Sequence, residues 1–378
     1  MMALLMVAVF FSMAARVIFS PLMPSLQRDL NFTLTSAGTL FMFVSISYAA
    51  SMLFAGFVSA RIGHGKTIVA ALATITVGLG VSGAAGGVVM LGVGMVCIGV
   101  GAGAYPPSGM VMINTRISAA RRSTAYAFHE VGPNTAMQLS PLLVLFAGPW
   151  IGWRGVLFMM SGLSFCATLS FYRWGQAGSG VGAVPNLSNV GTILRLRTTH
   201  VGMLVLSAAL SGWQGVYAML PAYLVSQELG TEQYVNSLLT LSRVASIVML
   251  LGAGFIIRRI GRRRTIISVL LFTGTCTGLI GLLEGTPLAV AVVAQPAFLA
   301  VMFPAILACI ADIGDPRYQN ITYALIITVG ISIGTGFAPA LLGIFGDFGV
   351  GWLGFVSLTV YMLTAIGALL ATPEFGRE

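Results

Sequence analysis

Long apolar stretches separated by short polar ones run the length of the chain. Twelve of them lie at about 3–22, 36–59, 67–86, 88–113, 123–147, 155–173, 201–226, 234–257, 265–283, 286–311, 321–345 and 350–371. Each is close to the ~20 residues that carry an α-helix across a bilayer core of roughly 30 Å. A membrane barrel would instead alternate in segments of about ten residues. No cationic segment precedes the first stretch, so it reads as a retained helix and not as a secretory leader. The pattern predicts an all-α membrane protein of twelve transmembrane helices.

Charge orients these helices, because successive loops alternate sides. One side collects Arg61, Lys66, Arg116, Arg121, Arg122, Arg173, Arg195, Arg197, Arg258, Arg259, Arg262, Arg263, Arg264, Arg317 and Arg377, which is 15 of the 19 basic residues. The other side has Arg28 and Arg154, while Arg16 and Arg243 lie inside apolar stretches. Basic loops stay in the cytoplasm. The expectation is a monomer in the cytoplasmic membrane, multi-pass and surrounded by lipid, with both termini cytoplasmic.

Composition agrees. Charged residues are 8% of the 378 and hydrophobic ones 57%, against roughly 25% charged in a soluble domain. Disorder needs low hydrophobicity, and four cysteines in so long a chain make no disulfide scaffold. The net charge of +9 is then topological. No nucleic acid partner is expected, since no basic face is interleaved with stacking aromatics. Cys97, Cys166, Cys276 and Cys309 fall inside predicted helices without ligand spacing and read as packing residues. No metal and no cofactor is expected.

The two halves match at one offset. Gly56-Phe57 recurs as Gly254-Phe255, Arg61-Ile62-Gly63 as Arg259-Ile260-Gly261, and Thr67-Ile68 as Thr265-Ile266, all 198 apart. Pro106 with Pro304, Gly132 with Gly330 and Pro141 with Pro339 keep the same offset, and Pro24 with Pro221 misses it by one. The organisation read from this is a six-helix bundle over 1–173, a cytoplasmic linker over 174–200 and a second six-helix bundle over 201–378. The linker holds Gly175, Gly178, Gly180, Gly182 and Pro185. Parallel repeats of this kind occur in two-lobed transporters, with the site at the midplane.

The segments GFVSARIGHGKTI (56–68) and GFIIRRIGRRRTI (254–266) resemble the loop between helices two and three, and its copy between eight and nine, of the major facilitator superfamily. Pro106 in the fourth helix, Arg121-Arg122 at the start of the fifth and Trp153-Arg154 before the sixth add to the resemblance. It covers nearly the whole chain and implies two pseudo-symmetric six-helix bundles rocking around a central cavity. The acidic residue usual in the first loop is Ala60 here, and Arg258 in the copy, so the charge relay of that loop is altered. Read physically, Gly63 and Gly261 allow tight turns, and the arginines anchor at headgroups and cap helix ends.

A charge at membrane depth costs at least about 2.5–3.5 kcal/mol and marks a functional site by default. Arg16, His129, Glu130 and Arg243 lie at such depth. Arg16 has Ser12 and Ser20 four residues to either side, and Arg243 has Asn236, Thr240 and Ser246 at helical spacing. At 1.5 Å per residue both fall about 20 Å from the basic ends of their helices, one in each half. Two guanidiniums at equal depth make a site for an anion, each fork fitting a carboxylate, sulfonate or phosphate. The plainer alternative is that each holds helices together through backbone carbonyls or Glu130. The helix-one arginine resembles that of the superfamily's organic-anion and organophosphate carriers. The helix-eight arginine is similar to that of its oxalate and monocarboxylate carriers.

Tyr126, Glu130, Asn134 and Gln138 recur every four residues, one polar face about 18 Å tall. A carboxyl poised between burial, which favours its neutral form, and an arginine, which favours its charged form, can exchange a proton. Glu130 is thus a candidate proton carrier, or an arginine's structural partner. His129 adjoins it about 100° around the helix, as a second proton group or an interhelical hydrogen-bonding residue. The resemblance makes helices one, four, seven and ten line the cavity. It adds Tyr105, Ser108, Ser207, Ser211, Trp213, Gln214, Tyr217, Gln295 and Phe303 as candidate contacts, with packing as the alternative for each.

Several patterns are decoys. Gly78-Leu79-Gly80-Val81-Ser82-Gly83 has dinucleotide-loop spacing but lies in an apolar stretch, with no acid before Glu130. His129-Glu130 is not a zinc-protease motif, because Pro133 replaces the second histidine. No phosphate-binding loop of ATPases occurs, and no nucleophile–base pair lies at depth, so no enzyme is expected. The superfamily's drug/proton antiporters carry a glycine-rich Gly-Pro motif in helix five, where this chain has Ser140-Pro141 and no glycine between Gly132 and Gly148. Drug export is disfavoured.

The sequence therefore points to a secondary active transporter moving a small organic anion by alternating access. Arg16 and Arg243 bind the anionic groups, with Tyr105, Gln214, Tyr217, Asn134 and Gln138 around them. Glu130 and His129 carry a co-transported proton, and Gly56, Arg61, Gly63, Gly254, Arg259 and Gly261 form the gating loops. Proton symport is the first reading. Anion exchange, and translocation of a lipid or drug-like amphiphile on the same fold, are the alternatives.

Overall fold

The structure is a computed structural model, and it describes residues 1–118, 121–175, 190–313 and 319–376. Arg317, Arg377, Gly178, Gly180, Gly182 and Pro185 lie outside the described residues. The first part of the chain forms α1 (Met2–Val17), α2 (Phe19–Leu30), α3 (Leu34–Ile62), α4 (His64–Gly83), α5 (Val88–Arg116) and α6 (Arg122–Trp174). Then come α7 (Val190–Leu194), α8 (Arg197–Leu210), a π-helical turn (Ser211–Gly215), α9 (Val216–Ser226), α10 (Glu232–Ile260), α11 (Arg262–Leu282) and α12 (Gly285–Ala311). The last are α13 (Gln319–Ile331), a second π-helical turn (Ser332–Phe337), α14 (Ala338–Asp347) and α15 (Gly351–Leu370).

Among the described residues ten continuous helical segments are long and apolar enough to cross a membrane, and the bent α10 makes an eleventh. The twelfth is inside α6. Its 53 residues would run about 80 Å as one rod, more than twice a bilayer core. Gly152, at φ 64° and ψ 176°, breaks that path. Positive φ is open to glycine at no steric cost, so the loop expected between the fifth and sixth stretches shrinks to a single-residue break. The result is the twelve-helix fold of the sequence reading.

Proline places the breaks in the first span. Pro21 has no N–H for the Val17 carbonyl, and its ring crowds that turn, so α1 ends at Val17 and α2 resumes at Phe19.

By their contacts the residues fall into two compact units, Met1–Phe32 with Phe43–Pro185, and Thr33–Met42 with Asn186–Glu378. In the first, α5 is a spine of small residues. A Cβ on Gly99 would collide with the Val44 carbonyl, and one on Gly103 with the Tyr48 carbonyl, both on α3. Such contact is how helices associate where lipid removes the hydrophobic drive. In the second unit, α8, α11, α12 and α15 share a core that includes Leu206, Leu270, Met302, Ile306 and Met362. The π-helical turns approach each other closely enough that a Cβ on Gly215 would strike the Gly334 carbonyl.

The repeat is visible atom by atom. Gly63 sits at φ 82°, ψ 155° and Gly261 at φ 84°, ψ 155°. In each copy a threonine hydroxyl donates to the glycine carbonyl at 2.8 Å, Thr67 to Gly63 and Thr265 to Gly261. Basic side chains at this end cap helices. Arg122 donates to the Asn114 and Ile117 carbonyls at the end of α5, and Arg263 to the Leu369 carbonyl (2.7 Å) near the end of α15. Arg262 pairs with Asp312 at 2.7 Å. At the far ends of the spans, Trp153 donates to Asp29 at 2.7 Å and carries the Arg154 guanidinium on its ring. In the second unit Asp347, closing α14, accepts the Leu34 and Thr35 amides at the start of α3.

Candidate functional site

In the first unit Arg16 lies at the centre of the span Met2–Leu30, two residues before the break at Ile18 that Pro21 imposes. Its guanidinium carbon is 4.3 Å from the centroid of the Tyr48 ring on α3. Its Nε donates to the Ser12 carbonyl at 3.3 Å, and one terminal nitrogen is 3.3 Å from the Met13 sulfur. The Ser12 hydroxyl turns away, donating to the Ala102 carbonyl on α5 at 3.2 Å. Arg16 forms no ion pair with Glu130 or any other carboxylate among the described residues.

The polar face of α6 does not converge on one point. Tyr126 donates to Asn114 at 2.6 Å, and Asn134, exposed, bonds back to the Glu130 carbonyl at 2.8 Å. Gln138 is half-buried. The Glu130 side chain is 60% exposed, with Oε1 3.5 Å from His129 Nδ1. His129 itself is fully buried. Its Nε2 is 2.8 Å from the Tyr105 hydroxyl, which donates to the Leu5 carbonyl at 2.8 Å. Ser108, one turn along α5 from Tyr105, bonds His64 at 3.2 Å.

In the second unit Arg243 is only 1% exposed, the largest fully buried side chain described. Its guanidinium carbon lies 3.8 Å from the centroid of the buried Tyr217 ring on α9. The polar residues expected beside it serve their own helix: Thr240 donates to the Asn236 carbonyl and Ser246 to the Ser242 carbonyl, each at 2.9 Å. Gln214 is half-buried on the π-helical turn. Trp213 packs against Phe303 at 4.5 Å. Gln295 is committed to the fold, since its amide donates to the Gly212 carbonyl at 2.7 Å. A π-turn breaks the regular ladder and leaves such a carbonyl in need of a donor. Ser207 bonds Tyr361 at 2.5 Å, and Ser211 donates back to the Ser207 carbonyl.

The two arginine seats share a chemistry and exchange its parts. In the first unit the arginine is on the first span and the tyrosine on the second. In the second unit the tyrosine is on the first span and the arginine on the second. Tyr48 is absent from the expectations above. Its signal was available, because it is the one tyrosine of its apolar stretch.

A model of the Major Facilitator Superfamily matches residues 5–188 and 202–377. The chain belongs to the major facilitator superfamily. It is a membrane-embedded secondary transporter and not an enzyme. The solved structures it is similar to are transporters. A bacterial homologue of the human lysosomal transporter Spinster, inward-facing and occupied, superposes with a TM-score of 0.82 at 12% identity, covering 99% of this chain and 96% of that one. A POT family transporter in complex with a thioalcohol-conjugated peptide superposes at 0.80 with 13% identity, covering 100% and 96%. The nucleoside transporter NupG superposes at 0.74 with 13% identity, covering 98% and 99%. At such identities the likeness is one of fold. No protein of curated function matches the sequence.

Within this superfamily member Gly63 and Gly261 form the α3–α4 and α10–α11 junctions, Arg61 and Arg259 are exposed at the ends of α3 and α10, and Gly56 and Gly254 lie inside those helices. Nothing comes within 4 Å of a Cβ placed on Gly254, so its role is not close packing. The four cysteines are free thiols on α5, α6, α11 and α12. No cluster of three or more His, Cys, Asp or Glu suited to a metal occurs among the described residues.

Proposed function

We propose that this transporter moves a small organic anion bearing a carboxylate, sulfonate or phosphate-ester group, by alternating access and in symport with a proton. The observation that carries the reading is the pair of arginine seats. A guanidinium brought to membrane depth is costly, and here each rests on a tyrosine ring. A ring against the flat face attracts the cation by about 0.5–2 kcal/mol. It also fixes the plane of the fork. Arg16 and Arg243 would each take an anionic oxygen pair, with Gln214, Asn134 and Gln138 as further polar contacts. Anion binding would discharge the arginines and supply the differential affinity that any shift between conformations requires. The basic ends of the spans, with both termini, would face the cytoplasm. Glu130 and His129 would serve the proton.

The test is uptake into proteoliposomes, after a thermal-shift screen of mono- and dicarboxylates, sulfonates and phosphate esters at two pH values. The screen should yield one stabilising class. Arg16→Gln and Arg243→Gln should each abolish that stabilisation and its uptake, and unchanged uptake in both variants would sink the anion site. Uptake that acidifies vesicles lacking internal substrate marks symport, and uptake that needs internal anion marks exchange.

One observation favours a second reading, transport of an amphiphile. An apolar cavity of about 440 Å³ in the first unit is lined by Phe10, Ala14, Ile18, Leu139, Phe146 and Leu163 among others. This reading expects binding to strengthen with alkyl chain length at a constant headgroup.

A further inference from the structure

The hydrogen bonds around His129 fix which of its nitrogens can take a proton. The Tyr105 hydroxyl has one hydrogen and gives it to the Leu5 carbonyl at 2.8 Å. Toward His129 Nε2, also at 2.8 Å, it can therefore only accept. Nε2 then carries the imidazole's hydrogen, and Nδ1 carries the lone pair. The two rings lie parallel within 4°, at 5.9 Å between centroids, which holds this geometry. Nδ1 is buried and has no hydrogen-bond partner. The one group poised at it is the Glu130 carboxylate, 3.5 Å away, on a side chain that is 60% exposed.

We propose that His129 Nδ1, and not the Glu130 carboxyl, is the proton-binding atom of the first unit, with Tyr105 fixing the tautomer and Glu130 acting as counter-charge and port to water. A proton arriving through Glu130 converts neutral imidazole to imidazolium. Both ring N–H groups then have acceptors, Tyr105 at Nε2 and Glu130 at Nδ1, and the new charge is paired as it forms. A neutral His129 leaves Nδ1 without a donor in a buried setting, which is unfavourable. The loaded state relieves that cost. A histidine held only as packing would be satisfied in its neutral form.

The groups that face this site are few. From α5 comes Tyr105. From α1 the Leu5 carbonyl faces it, and the charged side chain of that helix is Arg16. On α6 there is Glu130. Coupling of this proton to an anion rests on the symport reading above; the proton site itself does not.

The experiment uses ¹⁵N-histidine in the full-length wild-type protein in lipid. The chain has three histidines, and His64→Gln and His200→Gln assign the His129 signals by elimination, without altering His129. Spectra taken from about pH 8 to about pH 5 should show an Nε2–H tautomer that gives way to the doubly protonated ring. Glu130→Gln should weaken the hold on that proton, moving the change to lower pH. Tyr105→Phe should let the other tautomer appear. An Nδ1–H tautomer in wild type, no titration across this range, or a midpoint unmoved in Glu130→Gln would each overturn the proposal. If His129 titrates as expected but anion uptake is independent of pH, the site stands and symport fails. If uptake is proton-driven while His129 is silent, symport stands and this site fails.

Discussion

Asp347 accepts the backbone N–H of Leu34 at 2.9 Å through one carboxylate oxygen, and its other oxygen takes the N–H of Thr35 at 2.8 Å. The start of a helix leaves amides without intrahelical partners, and here a side chain 313 residues away supplies both acceptors. Asp347→Ala should destabilise by about 1 kcal/mol, the usual worth of a cap. Asp347→Asn, which retains one acceptor oxygen, should lose less. Thermal unfolding in detergent measures both, and equal losses would show that the second oxygen contributes nothing.

The arginine seats make a graded prediction. Tyr48→Phe keeps the ring face and should leave anion affinity within about threefold, whereas Tyr217→Phe keeps the face but also loses a hydrogen bond to Arg243 and should cost more. The corresponding leucine variants lose the cation–π attraction of about 0.5–2 kcal/mol, and affinity should fall by roughly 2- to 30-fold. Arg→Lys at either seat removes the planar fork and should cost more than loss of the ring. Calorimetric titration with the stabilising anion separates these orders, and a leucine variant that binds as well as wild type removes the tyrosines from the argument.

The paired loop glycines should respond alike. Gly63→Ala and Gly261→Ala force a Cβ into positive φ, at a cost of roughly 1–2 kcal/mol each. The conformations match within two degrees, so the two losses of stability should match as well. Asn at either position should be no milder, because ψ 155° lies outside the left-handed helical region that asparagine tolerates.

A methyl group on α5 should be felt at Arg16. Gly103→Ala drives a Cβ against the Tyr48 carbonyl, and α3 must shift to receive it. Overpacking of this kind costs about 1–3 kcal/mol. Because Tyr48 underlies Arg16, anion affinity should fall together with stability. Gly86→Ala is the control, with nothing within 4 Å of the added carbon. Affinity loss without stability loss in Gly103→Ala would point to a direct role in binding.

The spans, the repeat and the two arginines at membrane depth were legible because each is written in local pattern. Apolar length marks a span, a shared offset marks a repeat, and a guanidinium in an apolar run is conspicuous by its cost. What pairs with what was not legible. Tyr48 reaches Arg16 from another helix, and Asp347 reaches Leu34 from the far end of the chain, so neither contact has a spacing to detect. Gln295 reads as a cavity residue in the sequence, yet its amide donates to the Gly212 carbonyl, whose need arises from a π-turn that no 3.6-residue period announces. The stripe Tyr126, Glu130, Asn134, Gln138 was real as a face, yet the Tyr126 hydroxyl bonds to Asn114 and the Asn134 amide to the helix's own backbone.

The turns at Ser211–Gly215 and Ser332–Phe337 each hold one residue more than an α-turn would. Removing one residue there lets the backbone close as ordinary α-helix, and the side chains before and after keep their facing. The same deletion elsewhere in a span would rotate everything beyond it by about 100°. These two segments are therefore places where chain length can change without scrambling either flank. A helical wheel drawn straight through them misassigns the face of Tyr217 relative to Ser207, which is why periodicity alone could not place that ring beneath Arg243.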